Sequence, residues 1–216
     1  MKSQVRGGTR WKRFAVVMVP SVAATAAIGV GLAQGALAAS FSISGQEFKV
    51  KADSLVGNDF VQYGSVASGK NLEGKPFAEP VGVSGFSEAW ITNMCQSVVT
   101  PNVPFIGNVS LELRAGTEGA KDPNKRVYAK DIYLDVSSLK ADAEFSNIDI
   151  GVAAGSLKDP GIQPGTQANP YGFSQRAKKA TLNNVEQKAW ATTAGTFRLP
   201  DLSLKLHKGT KECFTE

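Results

Sequence analysis

The chain has 216 residues, with 24 basic and 19 acidic side chains, a single histidine and two cysteines. Two cysteines and one histidine exclude a zinc site built from thiolates and imidazoles. Lys2, Arg6, Arg10, Lys12 and Arg13 account for the whole net charge of +5, so residues 40–216 are neutral overall and have no basic field for nucleic acid.

The first predicted element is an export signal over residues 1–39. A basic start is followed by a run without charge, Phe14 to Leu37, and by small residues at Ala36, Ala38 and Ala39, the pattern that signal peptidase reads. The segment is either a signal peptide cleaved after Ala38 or an N-terminal membrane anchor helix, because the uncharged run exceeds the roughly 20 residues that span a bilayer. Both readings place residues 40–216 outside the cytoplasmic membrane, secreted or attached to the cell envelope. The membrane itself is a partner if the segment stays uncleaved.

Residues 40–216 read as one mainly β domain, an antiparallel sandwich or barrel. "FSISGQEFKV", "NVSLELRAG" and "DLSLKLHKG" alternate apolar and polar residues, as strands with one buried face do. Gly, Pro and Asn interrupt such runs at short intervals. Only "SEAWITNMCQ" has a spacing compatible with a short helix. Cys95 and Cys213 form an even pair, expected to bridge in an oxidising compartment.

The strands suggest a duplication. "NVSLELRAG" from Asn108 matches "DLSLKLHKG" from Asp201, and "AWITNMCQ" from Ala89 matches "ATLNNVEQ" from Ala180. The block from Ser54 aligns with the block from Ser138. Repeat one covers about residues 48–116 and repeat two about residues 127–209.

"GSVASGKN", Gly64 to Asn71, nearly spells a phosphate-binding loop. Its final hydroxyl is replaced by Asn71, and "NLEGKPFAEP" follows where a helix should start, so no nucleotide site is expected. The stretch from Leu157 to Arg176 holds three prolines and three glycines and reads as a long loop. Its Tyr171 and Phe173 either line a ligand mouth or pack onto the core. "QRAKK" reads as a solvated basic face.

Catalytic signals are incomplete. "GVSGF" offers Ser84 as a nucleophile but has Phe86 where the elbow's closing glycine belongs. The lone imidazole, His207, alternates with Leu202, Leu204 and Leu206 and reads as a solvated strand residue. The acids from Asp131 to Asp149 alternate with lysines and show no calcium-loop spacing. Neither metal nor cofactor is expected, and the enzyme question leans to no.

The leader together with "NMCQSVVTP" and "AWATTAGTFRLPDLSLKL" resembles a family of small exported actinobacterial, streptomycete-type proteins of unknown function. Its members sometimes have an automatic "cholesterol esterase" label. The resemblance implies export and no mechanism. Three functions follow as expectations: a non-enzymatic envelope protein holding a lipid or other apolar ligand in a duplicated β fold, a surface structural component without ligand, and a lipid-ester hydrolase using Ser84 and His207.

Overall fold

Alternation is realised as a few very long strands. The computed structural model describes residues 43–215, so the signal or anchor reading of residues 1–39 lies outside the described residues. The strands are β1 (Ile43–Gly45), β2 (Phe48–Asn71), β3 (Pro76–Thr92), β4 (Met94–Val103), β5 (Gly107–Ala115), β6 (Val127–Ala153), β7 (Phe173–Thr193), β8 (Thr196–Arg198) and β9 (Ser203–Lys208). Among the described residues the only helices are single 3₁₀ turns at Pro123–Lys125 and Ala154–Ser156, and none is long and apolar enough to cross a membrane.

Four strands close a small barrel. β3 pairs with β6, β6 with β7 and β7 with β2, and β2 returns to β3, every pair antiparallel. A circuit from Tyr63 passes Val83, Asp135 and Ala191, and two residues back along β7, at Ala189, it meets Phe48. The register therefore slips by most of the length of β2 in one turn. So large a stagger forces strongly tilted, coiled strands, which is why 24 residues in β2 and 27 in β6 are needed.

All four barrel strands contribute to the inner core, which includes Leu55, Phe60, Phe86, Ile132, Leu134, Leu182 and Val185. The bore is narrow, and small residues at Ala52, Ala89, Ala129, Ala177 and Ala180 make room for the aromatic rings. Phe60 lies between Phe86 and Phe145, with ring centroids 5.3 and 5.1 Å away. Gly57 faces Phe86, which is 1% exposed, so closely that a Cβ there would overlap the ring. A second cluster uses the opposite faces of β2 and β3, with Val61, Tyr63, Val81 and Val83, and is covered by Leu157, Ile162 and Ala168.

The sheet continues past the barrel. At Asn93, where φ is +51°, β3 gives way to β4, which pairs with Lys49–Lys51 of β2 and then with β5, and β5 pairs with the edge strand β9. "SEAWITNMCQ" is thus strand β3 running into β4, not a helix. The break at Asn93 disturbs its alternation and imitates helical spacing. Cys95 and Cys213 are disulfide-bonded, and the segment after β9 folds back over one face of this extension. There the Lys211 N–H donates to Ser110 Oγ at 2.8 Å and the Cys213 N–H to Ser97 Oγ at 3.0 Å.

The two halves share a local device. Asn93 and Asn184 both have left-handed backbones, and their amides donate to Asp53 at 3.0 Å and to Asp142 at 2.7 Å. These acids end "KAD" at Lys51–Asp53 and again at Lys140–Asp142, a few residues away from the Ser54/Ser138 alignment. The pairings between halves differ, because β2 meets β7 over Phe48–Tyr63 whereas β6 meets β3 only over Val127–Val136.

Gly57→Ala is expected to cost about 1–3 kcal/mol of stability through overpacking. Urea unfolding checks this, and the double variant Gly57→Ala/Phe86→Leu should recover part of the loss.

Candidate functional site

The barrel encloses a cavity of about 210 Å³, lined by Leu55, Phe60, Phe86, Leu134, Leu139, Ala141, Ala143, Phe145 and Leu182 with Gln62, Ser84 and Gln187. It exists because β6 leaves β3 after Val136 and continues along β7 alone. The inward side chains Leu139, Ala141, Ala143 and Phe145 therefore lack a neighbouring strand on one side, and Leu139 is 40% exposed. A further void of about 30 Å³ shares Leu55, Leu134 and Gln187 and reaches Val50 and Met94.

Two polar side chains of the larger cavity's wall, Gln62 and Ser84, belong to a short hydrogen-bonded row that Gln175 continues behind them. Gln175 Nε2 donates to Gln62 Oε1 at 2.6 Å, and Gln62 Nε2 donates to Ser84 Oγ at 3.0 Å. Ser84 is thus inside the barrel, 5% exposed, in the middle of strand β3. A nucleophile elbow sits instead on a sharp strand-to-helix turn.

His207 is elsewhere, on β9. Its Nε2 lies 3.0 Å from Glu112 Oε2, and the structure does not bring it together with Ser84. The imidazole is not the solvated residue expected from the alternation. The face it shares with Ser203 and Lys205 lies over Glu112, and Leu202, Leu204 and Leu206 are the exposed ones, at 52, 56 and 68%. Sequence reasoning reversed the two faces because it could not see the C-terminal segment fold back.

Glu112 organises this polar face. Its side chain is 6% exposed and holds Arg114 Nη2 at 2.7 Å, His207 at 3.0 Å and Lys211 Nζ at 3.1 Å. The Arg114 hydrogen bond, aided by Lys211 and His207 and opposed by burial, lowers its pKa from 4.5 to about 2. Arg114 and His207 are counterparts in the two matched sequences, yet both serve this one carboxylate.

A second buried carboxyl lies under the long loop. Asp135 is 9% exposed and stands opposite Val83 and Ala191 in register. Burial pushes its pKa up. The loop above is fastened by the Gln163 N–H, which donates to Tyr63 Oη at 2.8 Å, and by the Tyr133 hydroxyl, which donates to Gly161 O at 3.2 Å. Burial raises the pKa of both tyrosines, that of Tyr133 to about 12. Tyr171 and Phe173 are 90 and 66% exposed and do not line the barrel cavity. Phe173 already belongs to β7, so the loop ends earlier than the predicted Arg176.

The remaining motifs have structural roles. "GSVASGKN" is the end of strand β2, paired with β3 through Lys70. In "QRAKK", Arg176 pairs with Asp149 at 2.9 Å and Lys178 with Asp59 at 3.8 Å. These four residues line a cleft of about 490 Å³ whose charges offset one another. Among the described residues no group of three or more His, Cys, Asp or Glu side chains could hold a metal ion.

A family of unknown function, DUF6230, matches residues 44–214. The chain belongs to this family. Neither a curated protein nor a solved structure matches it. The match covers the barrel, the extension and both cysteines, so all the cavities described above are features of a DUF6230 domain.

Glu112, with its lowered pKa, contributes stability that is complete above its ordinary value of 4.5 and disappears as pH falls towards 2. Glu112→Gln should therefore lose about 1–3 kcal/mol at neutral pH, with the deficit shrinking through that window in urea titrations. Asp135 has the opposite sign, because ionisation penalises the fold as pH rises past 3.8. Asp135→Asn should melt above the wild type at pH 7 and match it in acid below the ordinary aspartate range.

Proposed function

We propose that the protein is a non-enzymatic, exported cell-envelope protein that holds a slender apolar ligand, such as one acyl chain, in the cavity of its barrel. The observation that carries this reading is the cavity of about 210 Å³, walled by aliphatic and aromatic side chains and open along the unpaired length of β6. Pockets for drug-sized ligands span about 300–1,000 Å³. The volume therefore suits a single chain and is too small for a sterol ester. Gln62 and Ser84, which line the cavity, give such a ligand one polar end to meet.

Ester hydrolysis receives less support. Ser84 accepts a hydrogen bond from an amide rather than facing a base, and His207 is engaged by Glu112 on the extension. Acyl transfer needs nucleophile and base within hydrogen-bond reach of each other. Export is supported by the leader's pattern and agrees with the disulfide, since such bonds persist in oxidising compartments. Duplication of one β unit is supported by the paired Asn–Asp devices at Asn93 and Asn184.

Native mass spectrometry of the protein secreted from a bacterial host tests the ligand. The expected result is an adduct of a few hundred daltons that disappears on denaturation. Ala143→Trp, at the exposed wall of the cavity, should remove the adduct and leave the melting temperature within a few degrees. A bare wild-type mass would refute the ligand reading.

A further inference from the structure

We propose that the tip of the β4–β5 hairpin, backed by the leucine face of β5 and β9, docks on an anionic lipid surface. The tip is built for an apolar interface. From Ser97 to Leu111, "SVVTPNVPFIGNVSL", there is no charged residue. Phe105 at the turn is fully exposed and Ile106 is 49% exposed. Phe105 also has φ of +66°, a left-handed backbone that is costly for a bulky side chain. The fold accepts this strain with the ring in solvent.

Backbone chemistry agrees. A chain entering lipid must satisfy its own polar groups. Pro101 and Pro104 have no N–H to satisfy. The Ile106 N–H donates to Val103 O at 3.1 Å, and the Asn102 N–H to Asn108 Oδ1 at 3.3 Å. Behind the tip, Leu111 pairs in register with Leu206, and the exposed Leu204 and Leu206 extend the apolar surface along the hairpin.

Charge selects the occupant. Among the described residues the acids of the extension are engaged: Glu112 by Arg114, His207 and Lys211, and Glu212 by Lys49 at 2.9 Å. Lys208 of β9 is exposed and alternates onto the same face as Leu204 and Leu206. With the acids so occupied, a module within an overall neutral domain presents the Lys208 cation on its leucine face behind the apolar tip, matching an anionic headgroup layer. A second copy pairing through the edge strand β9 is instead opposed by its exposed lysine. The docking surface stands apart from the barrel cavity, so either reading can fail alone.

Hydrogen exchange of the full chain, followed by mass spectrometry with vesicles of phosphatidylcholine alone or mixed with phosphatidylglycerol, tests the proposal. Amides from Asn102 to Asn108 should exchange at least about fivefold more slowly with the mixed vesicles than with phosphatidylcholine alone, since each surface lysine adds about that factor to binding. Lys208→Glu should abolish the preference. Phe105→Asp/Ile106→Asp should abolish the protection with the melting temperature unchanged. Binding through residues 1–39 alone would leave exchange at the tip unaltered and would overturn the proposal. Equal protection by both vesicles, or lipid-free protection that grows with protein concentration, would overturn it as well.

Discussion

The structure depends on one strand being paired along both edges. β2 has β7 on one side from Phe48 to Tyr63 and β3 on the other from Ser54 to Lys70. Where the two pairings overlap, the backbone has no free edge, and the register slip around the barrel is locked by hydrogen bonds. The narrow bore follows from that slip, and so does the need for alanine and glycine around Phe60 and Phe86. The cavity follows as well. β6 can stay beside β3 only as far as Val136, and beyond that residue one wall of the barrel is missing.

Much of the architecture was legible in the sequence. The period of two in "NVSLELRAG" and "DLSLKLHKG" marks β5 and β9, and the even cysteine pair marks the disulfide. Strand length was hidden. Along β6, Asp142, Glu144 and Asp149 point to solvent at an unpaired edge, and left-handed residues such as Asp59 and Asn147 shift the alternation inside single strands. The same shift at Asn93 gave "SEAWITNMCQ" its false helical spacing. A bulge moves every later side chain to the opposite face, and no local pattern announces how many bulges a strand contains.

The candidate site was legible only in outline. Ser84 stood out for the glycines around it, yet its surroundings are set by Gln62 and Gln175, two unremarkable glutamines brought beside it by the pairing of β2 with β3 and β7. Glu112 was invisible as a centre. Its ligands Arg114, His207 and Lys211 come from β5, β9 and the tail, and only the fold-back of the C-terminal segment closes them around it. That fold-back also explains the exposed leucines, since a three-stranded sheet with one face covered by its own tail leaves the other uncovered.

The pairing of β2 has a consequence in time. Its first partner, β3, follows within the same stretch of chain, but the partner that closes the barrel, β7, begins only at Phe173, and Cys213 lies beyond β9. A growing chain thus holds β2 half-paired until most of the protein has emerged, and long-range pairings of this kind form slowly. Assembly is therefore gated from the C-terminal end, and the cavity comes into being only in the last steps.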